Sequence, residues 1–320
     1  MTTFKEIRGT TVESVSSDPT NPEVGQIWYN NTIGVLKGYQ LVASSWASGG
    51  NMATARRAMG SAGTQTAGLA FGGGPPIVAT TEEYDGSAWG PGGNLTTGRW
   101  QLAGAGTQTA ALAFGGDPGP GPTNVTEEYD GSTWSPGGNL GTARRYLAGA
   151  GIQTAGLAFG GYTTVNSNAT EEYDGTSWTA GGNLGTARRG LSGDGTQTSG
   201  LAFGGYTTTE IVNTEEYDGA SWTSGGALNT ARMNLAGAGT QTAGLAFGGE
   251  TNGGNPSAAT EAYNGTSWTI DTSMSTARRF LGGTGTQPAG LAFGGLTTTQ
   301  VASTEEFTGT ALGTKKITTS

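Results

Sequence analysis

The sequence predicts an all-β fold of radially repeated four-stranded units, and three observations predict it. A phrase of the form RRYLAGAGIQTAGLAFGGYTTVNSNATEEYDGTSW, read at 144–178, recurs from Arg56, Arg99, Arg188, Arg232 and Arg278. Tryptophans at 46, 89, 134, 178, 222 and 268 mark it at intervals of 43 to 46 residues. A fixed period in that range denotes a repeat architecture. Each copy holds four short stretches with strand signals and no apolar 3.6-residue period long enough for a helix. Four antiparallel strands repeated radially form a β-propeller blade.

Segment a follows a Thr-Ala-Arg step and reads Arg144-Arg145-Tyr146-Leu147-Ala148-Gly149. Segment b is Thr154-Ala155-Gly156-Leu157-Ala158-Phe159, closed by Gly160-Gly161. Segment c is Thr170-Glu171-Glu172-Tyr173, and segment d begins at Ser177-Trp178. Asp174-Gly175 stands between c and d, and recurs at Asp85-Gly86, Asp130-Gly131, Asp218-Gly219 and, as Asn-Gly, at Asn264-Gly265. This pair predicts a type I′ turn with positive φ at both residues. Segments a and b are rich in Ala and Gly, which suits the crowded centre of a propeller. Phe159, Tyr173 and Trp178 would fill the wider wedge between blades. Burying one Trp removes roughly 150–250 Å² from water, an upper bound of about 4–6 kcal/mol per blade. Trp46, Trp89, Trp134, Trp178, Trp222 and Trp268 are therefore expected in the blade cores.

Gly160-Gly161 after an apolar strand, then Tyr173, Trp178 and Arg188, resembles the kelch motif. The resemblance covers roughly residues 26–316 and implies a kelch-type β-propeller, a fold that serves many functions. In kelch blades an arginine commonly supports the blade. Arg56, Arg99, Arg144, Arg188, Arg232 and Arg278 hold that place here.

Residues 1–25 are polar, unrepeated and punctuated by Asp18-Pro19 and Asn21-Pro22. They are expected to form an extended arm that docks the domain onto a larger assembly, with residues 26–320 as one propeller domain. Residues 26–46 read as a shortened unit, with b at Gln26–Tyr29, c at Val35–Gln40 and d at Ser44-Ser45-Trp46. The stretch Gly25-Gln26-Ile27-Trp28-Tyr29-Asn30, followed by Gly34-Val35-Leu36-Lys37, also resembles a hairpin near the start of phage tail and fibre proteins. At the other end the last repeat lacks a Trp-containing d segment, and Lys316–Thr319 reads as one more a strand. Seven blades are expected, the seventh combining N-terminal b, c and d with the C-terminal a, which removes exposed sheet edges. The alternative is six blades, with Trp46 supplying the missing outer strand of the last and the N-terminal hairpin lying outside.

The chain carries no Cys and no His, 61 Gly and a formal net charge of −9. Thiol catalysis, Cys/His zinc, a Ser-His triad and the His-containing copper site of kelch oxidases are excluded. No metal or other cofactor is expected. The acidic balance without a basic cluster argues against nucleic acid and anionic membrane as partners. No apolar run approaches the ~18 residues of a membrane span, and Met1–Thr20 lacks the pattern of a secretory signal.

The b–c connections vary between copies in sequence and length, at 73–80, 117–125, 162–169, 206–213, 250–259 and 296–303. Segments a, b and d read as nearly constant. In a four-stranded blade the b–c and d–a connections emerge on one face. Variable loops on a rigid repeated frame suit recognition. Tyr162, Thr163, Asn166, Tyr206, Thr207, Glu210, Asn252 and Asn255 are the candidate ligand residues, the tyrosines being suited to stack on a sugar ring or a peptide.

No catalytic set is expected. In the pairs Glu82-Glu83, Glu127-Glu128, Glu171-Glu172, Glu215-Glu216 and Glu305-Glu306, adjacent strand residues point to opposite faces. One of each is expected in solvent and the other paired with a repeated Arg. Gln65, Gln108, Gln153, Gln197, Gln241 and Gln287 are expected to hydrogen-bond within the a–b turn. Asp194 breaks the Ala/Gly pattern of segment a and is a weak metal or polar-channel candidate. The expected function is that of a non-enzymatic virion component: a tail-fibre or adhesin propeller recognising a host surface glycan or protein. It would attach to other virion proteins through residues 1–25, as a homo-oligomer or in several copies per particle. Structural decoration of the virion, on tail or capsid, and a cellular interaction module are the alternatives.

Overall fold

A computed structural model describes residues 12–317. All regular structure among them is β, in seven four-stranded sheets and one two-stranded hairpin. Contacts divide the chain into two compact units, Ser45–Thr308 and the paired ends Met1–Ser44 and Gly309–Ser320. The division falls at Ser45 and Thr308.

In the Ser45–Thr308 unit each repeat folds as an antiparallel meander, giving a propeller-like set of six sheets. In the third, Ala148–Ile152, Ala155–Phe159, Thr170–Tyr173 and Trp178–Ala180 pair in that order. The apolar b strand is the core: Leu157, Ala158 and Phe159 are fully buried, as is Tyr173 of strand c. The a strands lie side by side around an axis, and the sixth, Gly282–Thr286, contacts the first, Gly60–Thr64.

The sixth sheet decides which strand completes it. Gly282–Thr286, Ala289–Phe293 and Thr304–Thr308 are joined by Ser45–Ser48 as the outer strand, with Trp46 opposite Phe307. The expected seventh blade therefore loses its d strand to the sixth repeat, as in the six-blade alternative. Packing explains the choice. Trp46 stacks 5.2 Å from Phe247 and 5.1 Å from Phe307. Its Nε1 donates to Thr260 Oγ1 at 3.1 Å, a contact made by every repeated Trp, as in Trp178 to Thr126 at 2.9 Å.

The c–d turn also differs from expectation. Only the glycine has positive φ, as at Gly175 (90°), and the loop is four residues long between Tyr173 and Trp178. Asp174 Oδ1 instead accepts from the backbone N–H groups of Thr176 and Ser177 at 2.8 and 2.7 Å. These bonds hold the Asp174 carboxyl below its ordinary pKa.

The Glu pairs split as expected in direction but not in environment. Within each sheet the first Glu forms a buried ion pair with the repeated Arg: Arg56–Glu82, Arg99–Glu127, Arg144–Glu171, Arg188–Glu215, Arg232–Glu261 and Arg278–Glu305, at 2.8–3.1 Å. The guanidinium also caps backbone carbonyls, Arg144 Nη1 reaching Ala169 O at 2.6 Å and Gly160 O at 3.1 Å. The second Glu, expected in solvent, accepts from the tyrosine of the next sheet, as Glu172 does from Tyr217 at 2.5 Å. The Gln series likewise bridges sheets: Gln153 Nε2 donates to Ala111 O and Tyr129 O of the preceding one at 3.2 and 2.7 Å. The reason is geometric. The side chain extends from the a–b turn over the neighbouring sheet, where it meets carbonyls left open by the end of that sheet's ladder.

In the other unit, Glu13–Val15 pairs in parallel with Ile27–Asn30, which pairs antiparallel with Val35–Val42, which pairs with Ala311–Lys316. Both ends of the chain thus share a sheet, as expected, although the C-terminal strand precedes the expected Lys316–Thr319. Asp18 ties the segment before the hairpin down. It accepts from Lys37 Nζ at 2.6 Å, Asn30 Nδ2 at 2.9 Å and Trp28 Nε1 at 3.1 Å. These bonds, with Lys37 first, lower its pKa to about 2. Residues 12–25 of the expected arm are therefore tied to this sheet. Residues 1–11 lie outside the described residues.

Candidate functional site

The three residues after each a-segment Arg approach the axis on one face of the six-sheet unit. The first pairs with the residue that follows the Gly-Gly closing strand b: Arg57 with Gly74, Trp100 with Asp117, Arg145 with Tyr162, Arg189 with Tyr206, Met233 with Glu250 and Arg279 with Leu296. The d–a connections and the variable loops therefore form one surface.

The second residues form a cycle of six backbone hydrogen bonds. Gln101 N donates to Ala58 O, Tyr146 N to Gln101 O and Gly190 N to Tyr146 O, at 2.7–2.9 Å. Asn234 N donates to Gly190 O, Phe280 N to Asn234 O and Ala58 N to Phe280 O, at 2.7–2.8 Å. All six sit in the left-handed region, with φ of 52° at Ala58, 57° at Gln101, 55° at Tyr146, 62° at Gly190, 54° at Asn234 and 56° at Phe280. That conformation costs an L-residue roughly 1–2 kcal/mol. Gly190 shows that the frame accepts glycine, yet five positions carry side chains, all different. Strain of this kind concentrates where a side chain has a use.

The near-constancy of the rest of segment a hides these residues in the sequence. The signal was present as Ala58, Gln101, Tyr146, Gly190, Asn234 and Phe280 at one repeat position.

Around this collar lies a ladder of cations and rings. The Arg189 guanidinium is 4.9 Å from the Tyr162 ring centre and 4.7 Å from that of Tyr206. Arg145 lies 5.7 Å from Tyr162 and 5.8 Å from Tyr146. Arg57 and Arg279 flank Phe280 at 5.6 and 5.7 Å. Asn166 locks the arrangement: its Oδ1 accepts from Arg189 Nη1 at 3.3 Å, and its Nδ2 donates to Tyr206 O and Thr207 O at 3.1 and 2.9 Å. Gln101 Nε2 donates to the Tyr146 hydroxyl at 2.6 Å, and burial raises the pKa of that hydroxyl. Two buried acids supply counter-ions: Asp117 pairs with Arg145, and Glu250 with Arg279 and with Asn234 Nδ2.

Arg145, Tyr146, Tyr162, Arg189, Met233, Asn234 and Phe280 line a cavity of about 270 Å³. Of the candidate ligand residues, Tyr162, Asn166, Tyr206 and Thr207 are gathered around Arg189. Glu210 pairs with Tyr206 and is half-buried. The Thr163 N–H donates to Val165 O within its own loop. Asn252 and Asn255 stand apart, exposed on the hairpin Glu250–Thr251 and Asn255–Pro256.

Below the collar, the a strands enclose a channel of about 220 Å³ that includes Asp194. Among the described residues no group of three or more Asp or Glu side chains is placed to hold a metal ion, and no helix is long and apolar enough to cross a membrane. No protein-family model and no curated protein matches the chain.

Proposed function

We propose that the six-sheet unit is a kelch-type propeller serving as a non-enzymatic recognition domain of a virion, binding a host surface glycan or protein through the face formed by the b–c loops and the axial collar. One observation carries this reading: differences between otherwise near-identical repeats concentrate on one face, and there they include side chains held at a conformational cost. The phage-fibre-like hairpin at Gly25–Lys37 supports placement in a tail fibre or on a capsid. Residues 1–25 would attach it to other virion proteins. Several copies per particle would turn weak single sites into firm attachment.

The test is binding of the purified chain to cells of the bacterium that the parent virus infects, with loops 162–169 and 206–213 replaced by Gly-Ser as the comparison. Saturable binding that the replacement abolishes is expected. Loop-independent binding, or none, would favour a structural decoration protein.

A further inference from the structure

We propose that the cavity beside Arg189 holds the carboxylate of an acidic sugar, such as the terminal residue of a surface glycan. This rests on the recognition reading above and specifies its ligand.

The argument compares equivalent positions. The Arg that follows the repeated buried Arg reaches the b–c loop of the preceding sheet. In the third sheet Arg145 meets the buried Asp117 there, and in the sixth Arg279 meets the buried Glu250. In the fourth sheet the same place in the preceding loop is Tyr162, whose ring centre lies 4.9 Å from the Arg189 guanidinium, with that of Tyr206 at 4.7 Å. Among the described residues no carboxylate forms an ion pair with Arg189; its one side-chain partner is the neutral Asn166 Oδ1. The side-chain groups against this guanidinium are thus two rings and one amide oxygen, none of them a carboxylate. A planar fork fixed in this way matches a carboxylate with two parallel bonds.

The neighbouring position admits a second polar group. A Cβ at residue 190 would lie 2.8 Å from Asn234 Oδ1. The absence of a side chain at Gly190 thus admits the Asn234 amide, which lines the cavity. Arg57 also lacks an ion-pair partner among the described residues, the equivalent loop residue being Leu296, but it does not line this cavity. The rest of the lining is mixed: Met233 and Phe280 are apolar, and Asn234 brings an amide. At about 270 Å³ the space lies just below the roughly 300–1,000 Å³ typical of drug-sized ligands. One ring with apolar C–H faces, hydroxyls and a carboxylate fits that description better than an extended acidic peptide, which needs a groove.

The experiment titrates the full chain with D-glucuronate, N-acetylneuraminate, uncharged D-glucose and a tetraglutamate peptide, followed by ligand-observed NMR. Binding of at least one acidic sugar is expected, with glucose at least about tenfold weaker. Arg189→Met should abolish it and Arg57→Met should not. Tyr162→Asp, which supplies the internal counter-ion that Asp117 gives Arg145, should also abolish it while leaving the melting temperature at or above that of the parent. Failure of both acidic sugars, equal binding of glucose, preference for the peptide, or unchanged binding by a folded Arg189→Met or Tyr162→Asp protein would overturn the proposal. Loop-dependent attachment to cells that persists through such a failure would leave the recognition reading standing and remove only the acidic sugar.

Discussion

The Tyr263 hydroxyl donates to Glu216 Oε1 at 2.5 Å across the boundary between the fourth and fifth sheets. Four other boundaries carry the same contact, from Tyr84 to Glu306, Tyr129 to Glu83, Tyr173 to Glu128 and Tyr217 to Glu172. The sixth has neither partner: the acceptor position is Ala262, the donor position is Phe307, and both belong to one apolar cluster. Removal of both polar groups at once is what the chemistry demands, since a buried donor or acceptor without its partner is the costly state.

Tyr263→Phe alone should therefore destabilise the protein by about 1–3 kcal/mol, and Glu216→Ala alone by a similar amount. The double variant, which copies Phe307 and Ala262, should lose less than the two singles together. Chemical denaturation of the four proteins measures the coupling, and strict additivity would show that the pair is not a unit.

The strand exchange at the sixth sheet makes a sharper prediction about boundaries. A fragment of residues 45–308 holds all six meanders and should fold. Removing residues 45–48 as well, or introducing Trp46→Ala, should lower stability by about 3–5 kcal/mol, the usual cost of truncating a packed aromatic. Circular dichroism melts compare them. A 45–308 fragment that does not fold would show that the terminal sheet is needed for the six-sheet unit to form.

This exchange also shows where sequence reading ends. The repeat period, the strands, the Arg–Glu pairing and the aromatic wedge all follow from residues that recur in each copy. Which sheet receives the Trp46 strand does not, because both arrangements assign the same residues to the same strands. Only the fit of Trp46 between Phe247 and Phe307 separates them. The collar was hidden for another reason: nothing in a Tyr or Phe announces positive φ, and only comparison of Tyr146 with Gly190 across copies points to it. The Gln contacts between sheets depend on which sheet lies next door, which a single repeat does not encode.

Ala58→Gly tests the strain in the collar. The methyl group contributes little packing, whereas its φ of 52° is one that glycine adopts freely. Stability should rise by about 0.5–1 kcal/mol, part of the relief being offset by the greater freedom of glycine in the unfolded chain. A loss of stability in equilibrium unfolding would mean that the conformation is not strained.

Asp194 predicts a pH dependence. Burial in the channel wall pushes its carboxyl up to about 8, and its Oδ2 has no hydrogen-bond partner. A folded-state value above the unfolded one means that the folded protein holds the proton more tightly. The contribution is fully present below the ordinary value of 3.8 and is lost as pH rises toward 8. Asp194→Ala, which restores the residue found at Ala62, Ala105, Ala150 and Ala238, should remove this dependence and stabilise the protein most at the alkaline end of that window. Parallel pH–stability curves for the two proteins would contradict it.

The central claim is that one face of the six-sheet unit meets the host surface. Photo-crosslinking tests it most directly, with benzoylphenylalanine placed in separate proteins at the exposed Thr208 in a b–c loop and at the exposed Thr240, the last a-strand residue before the a–b turn on the opposite face. Crosslinks to host-cell surface material from position 208 but not from position 240 are predicted. Crosslinking from position 240 alone, or equally from both, would contradict the account.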